Sequence, residues 1–586
     1  MYRELKASHG ALPLINPPLG SAPKGISPSY RPIKLSANRI RTWLRQSHGT
    51  RIDTICISAV LLLANRLKRA RTPEGIVAIS FRRAPMRLAA AVIATVYLLP
   101  APSTRLLSLQ ALAAETTSFT RQVSPSSETN ATEPSVAVDR SDGTEWVAWQ
   151  ASGTHVARSD DGGHTFVQTP ISNLFGSDVG DVDIRVGGPT PCSVVTSSCS
   201  PGTHRVYVSS LEKLPLVLQT HVAYSDDRGA SWTINNLAAV NPSFIDRPWL
   251  AVFASKASAN LDQVYISYHD FSASQINVTA SNDGGQTFGP SVDVLAQNGM
   301  AETQSFCNTV PSGIEVDPET GEVYVEWITA DPVANTTQGC NITQIESFHQ
   351  VWIAHSPPAN ASTLTVWDAH LVFDGNIGRT WQTNTDRIFA TLAVDDSQLA
   401  GVPGNIYSVF TDNLVAPGVN DIWFTRSSDR GNSWARPVKV NHDKGTHFFP
   451  WIAAGTTGRV DFIWLSTPDL SPSDAALSPW TAIFGQTTNG TSATPSFSQT
   501  SASNKVMHVG GICTDGIFCS VSGGNRDLAD SISITIDRGG SAALVWTDQG
   551  SVLNGPTHIT YGCIIAGQSA LAGAKRDLSC KGPAGP

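Results

Sequence analysis

One octapeptide pattern, Ser-x-Asp-x-Gly-x-Thr/Ser-aromatic, occurs four times in this chain. The copies are Ser159-Asp160-Asp161-Gly162-Gly163-His164-Thr165-Phe166, then SDDRGASW from Ser225, SNDGGQTF from Ser281 and SSDRGNSW from Ser427. Recurrence on this scale means an array of one supersecondary unit. Each copy reads as a tight hairpin turn. The Asp carboxylate accepts from nearby backbone N–H groups, the Gly supplies a positive φ, and the closing aromatic packs between sheets.

A second pattern runs between the octapeptides: an alternating strand, a polar turn, and a return strand ending in aromatic or hydroxyl residues. Its copies span Pro134–Gln150, Val182–Ser209, Pro248–His269, Ser312–Trp327, Ile388–Phe410, Phe449–Leu465 and Ser531–Trp546. Period-two alternation with Gly at the turn is hairpin chemistry. Seven such modules suit four-stranded blades arranged radially, a layout that protects sheet edges. The chain is expected to be all-β, a single β-propeller over about residues 119–570. Seven blades are favoured, six if one module is an insertion. Modules near Val351–Trp367, Thr481–Ser498 and Ile559–Ile565 lack the octapeptide and read as degenerate.

The N-terminal part is different in kind. Residues 1–85 carry 15 Lys/Arg against three acidic residues and show no strand pattern. Arg82, Arg83 and Arg87 then precede the apolar run Leu88–Leu99, followed by Ala111-Leu112-Ala113, the layout of a secretory signal. A membrane anchor is the rival reading, but Pro100 and Pro102 interrupt a run already short for a span. The expected organisation is a basic pre-region over 1–85, a signal over 86–113, and a propeller with a short C-terminal tail over 114–586. Residues 114–586 hold 23 Lys/Arg and 45 Asp/Glu, a net charge of −22. Such acidity argues against nucleic acid and anionic membrane surfaces as partners.

Eight cysteines follow the leader, an even number that favours disulfides in an exported chain. Neighbour pairing (Cys192–Cys199, Cys307–Cys340, Cys513–Cys519, Cys563–Cys580) is expected, stapling local loops. With no CxxC pair and no HExxH, neither metal nor other cofactor is expected. Asn-x-Thr/Ser acceptors at Asn130, Asn277, Asn335, Asn341, Asn360 and Asn489 are expected on exposed loops.

Blade geometry sorts residues by face. Octapeptide turns close the third strand and sit at the bottom; residues just before first strands and just after second strands face the top. That ring is polar. Asp246-Arg247 and Asp386-Arg387 open two blades with the same dipeptide, and Arg526 lies before a third; Arg247, Arg387 and Arg526 are candidate substrate-binding residues, with Asp246 and Asp386 beside them. His269 and His447 are candidate proton-transfer groups. Trp249, Trp327, Trp451 and Trp546 lie close enough in sequence to stack on sugar rings. Guanidinium and carboxylate groups converging on a concave face suit an acidic sugar.

The octapeptide resembles the Asp box, or BNR repeat, and the chain is similar to Asp-box β-propellers of the sialidase superfamily. The resemblance implies three arginines around the substrate carboxylate, a Tyr–Glu nucleophile pair and an Asp acid. It maps Tyr561 with Glu326 onto the pair and Asp181 or Asp183 onto the acid. The family's Phe-Arg-Ile-Pro motif is absent: aligned on Pro134, Thr132 stands where the first arginine belongs, and a hydroxyl does not replace a guanidinium fork. The expected function is a secreted, sialidase-like exo-glycosidase acting on acidic glycans. The alternatives are a uronate-directed lyase and a non-catalytic propeller that binds glycans or proteins.

Overall fold

The computed structural model describes residues 118–581 apart from 174–177, 214–217, 236–237, 239–244, 255–261, 271–274, 306–308, 331–346, 359–361, 386–388, 398, 504, 515–518 and 520–522. The expected pre-region and signal therefore lie outside the described residues, as do Asp386 and Arg387. Among the described residues no helix is long and apolar enough to cross a membrane.

Among the described residues there are seven antiparallel sheets, each with at least four strands; in six of them four strands are hydrogen-bonded in sequence order. The innermost strands are Thr132–Val138, Asp178–Pro189, Ile245–Phe253, Thr309–Val316, Thr391–Val394, Thr446–Ala454 and Ser533–Ile536, which open blades 1 to 7 in that order. Six match the expected modules in order; the fifth inner strand begins at Thr391, within the expected module, while Phe389 and Ala390 before it are not in a strand. The six-blade alternative is set aside. Blade 7 takes its fourth strand from the other end of the chain: Ser118–Gln122 pairs with His558–Ile564, from Ser118 opposite Ile564 to Gln122 opposite Thr560. This closure ties the ends of the propeller together and leaves no open first blade.

Second strands are buried on both faces because each blade packs against two neighbours. That is why Glu145–Ala151 and Val323–Ala330 read as near-continuous apolar and aromatic runs. Trp149, Trp327, Trp464 and Trp546 recur at the same place on these strands and are fully buried. Trp327 and Trp546 thus serve the inter-blade core rather than a sugar-stacking surface. The core is a set of inter-blade layers; one joins Trp249, Tyr265 and Val278 of blade 3 to Ile314, Val325 and Trp327 of blade 4.

The four octapeptides fold alike, between third and fourth strands. In the third copy the Ser281 hydroxyl donates to Asp283 Oδ1 at 2.7 Å and accepts the Gly285 N–H at 2.8 Å. Asp283 also accepts the Thr287 N–H at 2.8 Å and the Thr287 hydroxyl at 2.5 Å. Burial works against the charged carboxylates of Asp161, Asp283 and Asp429, but these hydrogen bonds outweigh it and hold all three below the usual range. The Phe166 ring packs 5.3 Å from Tyr561 and Trp232 packs 6.5 Å from Trp146, each on the preceding blade.

Three of the four expected disulfides are formed: Cys192–Cys199, Cys513–Cys519 and Cys563–Cys580. Cys307 and Cys340 lie outside the described residues. Asn277, expected on an exposed loop, is buried within the third strand of blade 3.

Candidate functional site

A short irregularity recurs where inner strands begin. Glu133, Asp181, Arg247 and Phe449 hold positive φ values of 53°, 54°, 59° and 51°. In each case the pairing register breaks around that residue, as between Thr132 and Ser135 or between Asp246 and Trp249. Non-glycine residues in this region carry backbone strain and concentrate where a side chain must be aimed.

Three of the four are charged, and they meet at the hub's upper end, opposite the octapeptide turns. The Asp181 N–H donates to Glu133 Oε2 at 2.8 Å, linking blade 2 to blade 1. Arg247 of blade 3 places Nη1 2.6 Å from Asp181 Oδ1 and 3.7 Å from Glu133 Oε1. Its Nη2 bonds Asp530, on the loop that opens blade 7. Arg526 grips the same carboxylate through both terminal nitrogens, with Nη2 2.5 Å from Oδ2. Blades 7, 1, 2 and 3 are thereby joined through one network. The Arg247 guanidinium also lies 4.8 Å above the ring of Phe389, from blade 5.

Four carboxyl groups (Glu133, Asp181, Asp246, Asp530) thus surround two guanidinium groups. Burial pushes Asp181 up to about 7; Arg247 opposes the shift and the adjoining Asp246 carboxyl reinforces it. Glu133 is raised by burial and by Asp181, against the pull of Arg247. Crowded, buried like charges retain protons. A carboxyl poised near neutrality is the property a general acid needs.

Directly beneath, Trp249, Phe389 and Trp451 plug the hub, with Trp249 5.2 Å from Phe389 and 5.3 Å from Trp451. Trp249 is buried and donates its indole N–H to the Pro311 carbonyl at 3.0 Å. It is part of the plug, not a free stacking platform. Below the plug, Asp183 accepts from the Ser135 hydroxyl at 2.8 Å and the Leu250 N–H at 2.9 Å, and pairs with Arg185 at 2.6 Å. Asp183 braces three inner strands; of the two candidate acids, only Asp181 stands in the upper cluster. A void of about 10 Å³ beside Arg185, Glu315 and Trp451 has room for about one water.

The other expected site residues are dispersed. Tyr561 and Glu326 do not form a pair. Tyr561 lies between blades 7 and 1, against Phe119 and Phe166, and its hydroxyl interacts with Glu145. Glu326 lies on the second strand of blade 4 and meets Ser408 of blade 5. Positions on second and third strands face the neighbouring blade, which explains the separation. His447 is enclosed, 3.2 Å from Asp443 and 3.6 Å from Asp421, with Asn441 at 3.2 Å. His269 stands opposite Asp246 in the strand register, at the margin of the cluster. Burial lowers its imidazole to about 4, although Asp270 works the other way, so it is uncharged at neutral pH. Phe389, Glu133 and Asp530 join the cluster although none of them is a candidate on the sequence. The last two stand in the polar ring before first strands, a signal that was present but undifferentiated.

No protein-family model matches the chain, and no curated protein matches it. Solved structures do, at low identity. The sialidase Hz136 from a Hadza microbial source is 12% identical, with a TM-score of 0.35, covering 71% of this chain and 72% of its own. An α-L-arabinofuranosidase of Fusarium graminearum, solved with arabinobiose, is 11% identical, with a TM-score of 0.38, covering 76% and 98%. An ulvan lyase bound to -[GlcA(1-4)Rha3S]- is 12% identical, with a TM-score of 0.41, covering 75% and 95%. At these values the likeness adds no argument about chemistry, which has to come from the site.

Proposed function

We propose that this chain is a secreted, carbohydrate-active Asp-box propeller, a sialidase-like exo-glycosidase acting on acidic glycans at the upper end of its hub. The observation that carries the reading is the Asp181 carboxyl, pushed up to about 7 by burial and Asp246, paired with Arg247 and within the electrostatic reach of Arg526. Arg247 and Arg526 meet the substrate carboxylate in charge-assisted hydrogen bonds. Asp181, its proton held by the Asp246 carboxyl, donates that proton to the glycosidic oxygen as the bond to the leaving group breaks, and a water adds to the anomeric carbon in its place and gives its own proton to solvent.

Two specific observations favour sibling readings. A neutral His269 imidazole, opposite Asp246 at the margin of the cluster, has the protonation state that a uronate lyase's base needs. The commitment of both guanidinium groups to Asp530 favours a binding propeller without turnover.

The test is to expose the secreted chain to sialosides and polyuronides and measure free sialic acid and ultraviolet-absorbing unsaturated products. Asp181→Asn is expected to lower sialoside turnover at least about 100-fold while binding persists. Arg526→Ala, at a partly exposed position, is expected to weaken binding of acidic but not neutral glycans. Absence of both products removes the enzymatic reading. Glycan binding unmoved by Arg526→Ala removes the hub as the site.

A further inference from the structure

Blade 4 lacks the octapeptide, so no Asp hook fastens its third strand (Phe348–Ser356) to its fourth (Asp368–Asp374). Three side chains with metal-ligand chemistry converge there instead. His355 lies opposite Asp368 in the strand register, and His370, two residues further on, shares that face of the outer strand. The His370 Nε2 is 3.1 Å from Asp368 Oδ2, and the His355 Nε2 is 4.0 Å from the same oxygen. All three ligand atoms fall within 4.8 Å of one another. Ligands around a tetrahedral zinc with bonds of about 2.0–2.1 Å stand about 3.4 Å apart, so small side-chain rotations complete the arrangement.

The immediate surroundings are arranged as a metal's are. His355 is only 6% exposed, and its Nδ1 stands 2.6 Å from Oε1 of the fully buried Glu322. A carboxylate only accepts, so Nδ1 carries the hydrogen and the Nε2 lone pair is left directed at Asp368 and His370. That buried Nε2 makes no hydrogen bond. A carboxylate that fixes the tautomer and orientation of a ligating imidazole is the usual support of such sites. Arg430 of blade 5 places Nε 3.4 Å from the other Glu322 oxygen and holds it in turn. Asp368 is more than half exposed, which leaves a direction open to water.

We propose that His355, Asp368 and His370 form a divalent transition-metal site, suited to zinc, that pins the outer strand of blade 4 in place of the missing Asp hook. Two imidazoles and one carboxylate suit zinc and its neighbours better than calcium or magnesium. The His-x12-Asp-x-His spacing is neither a CxxC pair nor HExxH, so the sequence carries no metal signal here. Only the register between two strands brings the ligands together.

The test uses the full mature chain, without a histidine tag, stripped by chelator and titrated with zinc and, separately, with cobalt. One equivalent per chain is expected, with submicromolar affinity, a tetrahedral cobalt absorption spectrum and a rise in Tm. The double variant Asp368→Ala/His370→Ala, confined to the outer strand, is expected to fold by circular dichroism and to lose the equivalent, the spectrum and the Tm rise. Glu322→Gln is expected to keep the stoichiometry but bind about 10- to 100-fold more weakly. Affinity no tighter than tens of micromolar, or one equivalent retained by the double variant, would overturn the proposal. A double variant that fails to fold leaves Glu322→Gln to decide: affinity equal to wild type overturns it.

Discussion

Glu326→Gln separates a buried neutral carboxyl from a working one. Glu326 is fully buried on the second strand of blade 4, and burial pushes its carboxyl up to about 8, with Ser408 opposing the shift. In the unfolded chain the same group titrates at its ordinary value of 4.5. Between those values the unfolded chain has released its proton and the folded chain has kept it, so stability falls as pH rises from 4.5 to 8. At 1.36 kcal/mol for each pH unit, the loss is about 3 kcal/mol at pH 7 and reaches about 5 kcal/mol at pH 8. Glutamine has no proton to release and nearly the same shape. Urea unfolding of both proteins at pH 5, 6, 7 and 8 therefore measures the group directly. Other buried carboxyls with raised values, such as Glu145 and Asp461, are common to both proteins and cancel in the difference. The variant is expected to match wild type near pH 5 and to exceed it by about 3 kcal/mol at pH 7. A difference that stays flat across this range refutes the neutral-carboxyl account. Glycan turnover is expected to be unchanged, because Glu326 faces blade 5 and not the hub.

Asp283→Ala removes the acceptor of the Thr287 N–H, the Thr287 hydroxyl and the Ser281 hydroxyl, and is expected to cost about 2 kcal/mol in chemical denaturation. Arg205→Met breaks a bidentate pair with Asp226 at 2.7 and 2.6 Å, a bond to the Gly284 carbonyl at 2.7 Å and a stack on Tyr224 at 4.0 Å. Asp226 is left buried without its countercharge, and a loss of about 3–5 kcal/mol is expected by urea titration. Cys580→Ser opens the bridge to Cys563, which spans 17 residues, and is expected to lower stability by about 3 kcal/mol when both proteins unfold without reductant.

The architecture was legible in the chain because its determinants are local. Asp161, Asp227, Asp283 and Asp429 each hold their own turn through bonds within four residues, so the turns and the hairpins between them announce themselves without tertiary context. Neighbouring cysteines formed their bridges for the same reason. Tyr561 and Glu326 show the opposite case. Both lie on strands buried on two faces, and which neighbouring blade a side chain meets depends on packing that no spacing in the sequence records. His447 sits two residues before Phe449, yet its imidazole turns to Asp421 and Asp443 of adjoining elements.

The upper hub was half legible, and the left-handed residues explain why. Alternation along a strand predicts which residues face together, but one left-handed residue in a bulge resets that alternation. Glu133, Asp181 and Arg247 occupy such positions and reach one another, whereas Asp183, two residues beyond Asp181, drops below the aromatic plug. The result is a hub with two chemically distinct sides: ionisable groups from blades 7, 1, 2 and 3, and the rings of Phe389 and Trp451 from blades 5 and 6. They meet where Arg247 crosses Phe389. On the proposed reading Asp530 is the internal stand-in for a substrate carboxylate, since its two oxygens are what Arg247 and Arg526 hold. A ligand that displaces it must bring a carboxylate for the arginines and a carbon–hydrogen face for the rings. An acidic pyranose carries both, acetate carries little beyond the first, and free phosphate carries neither.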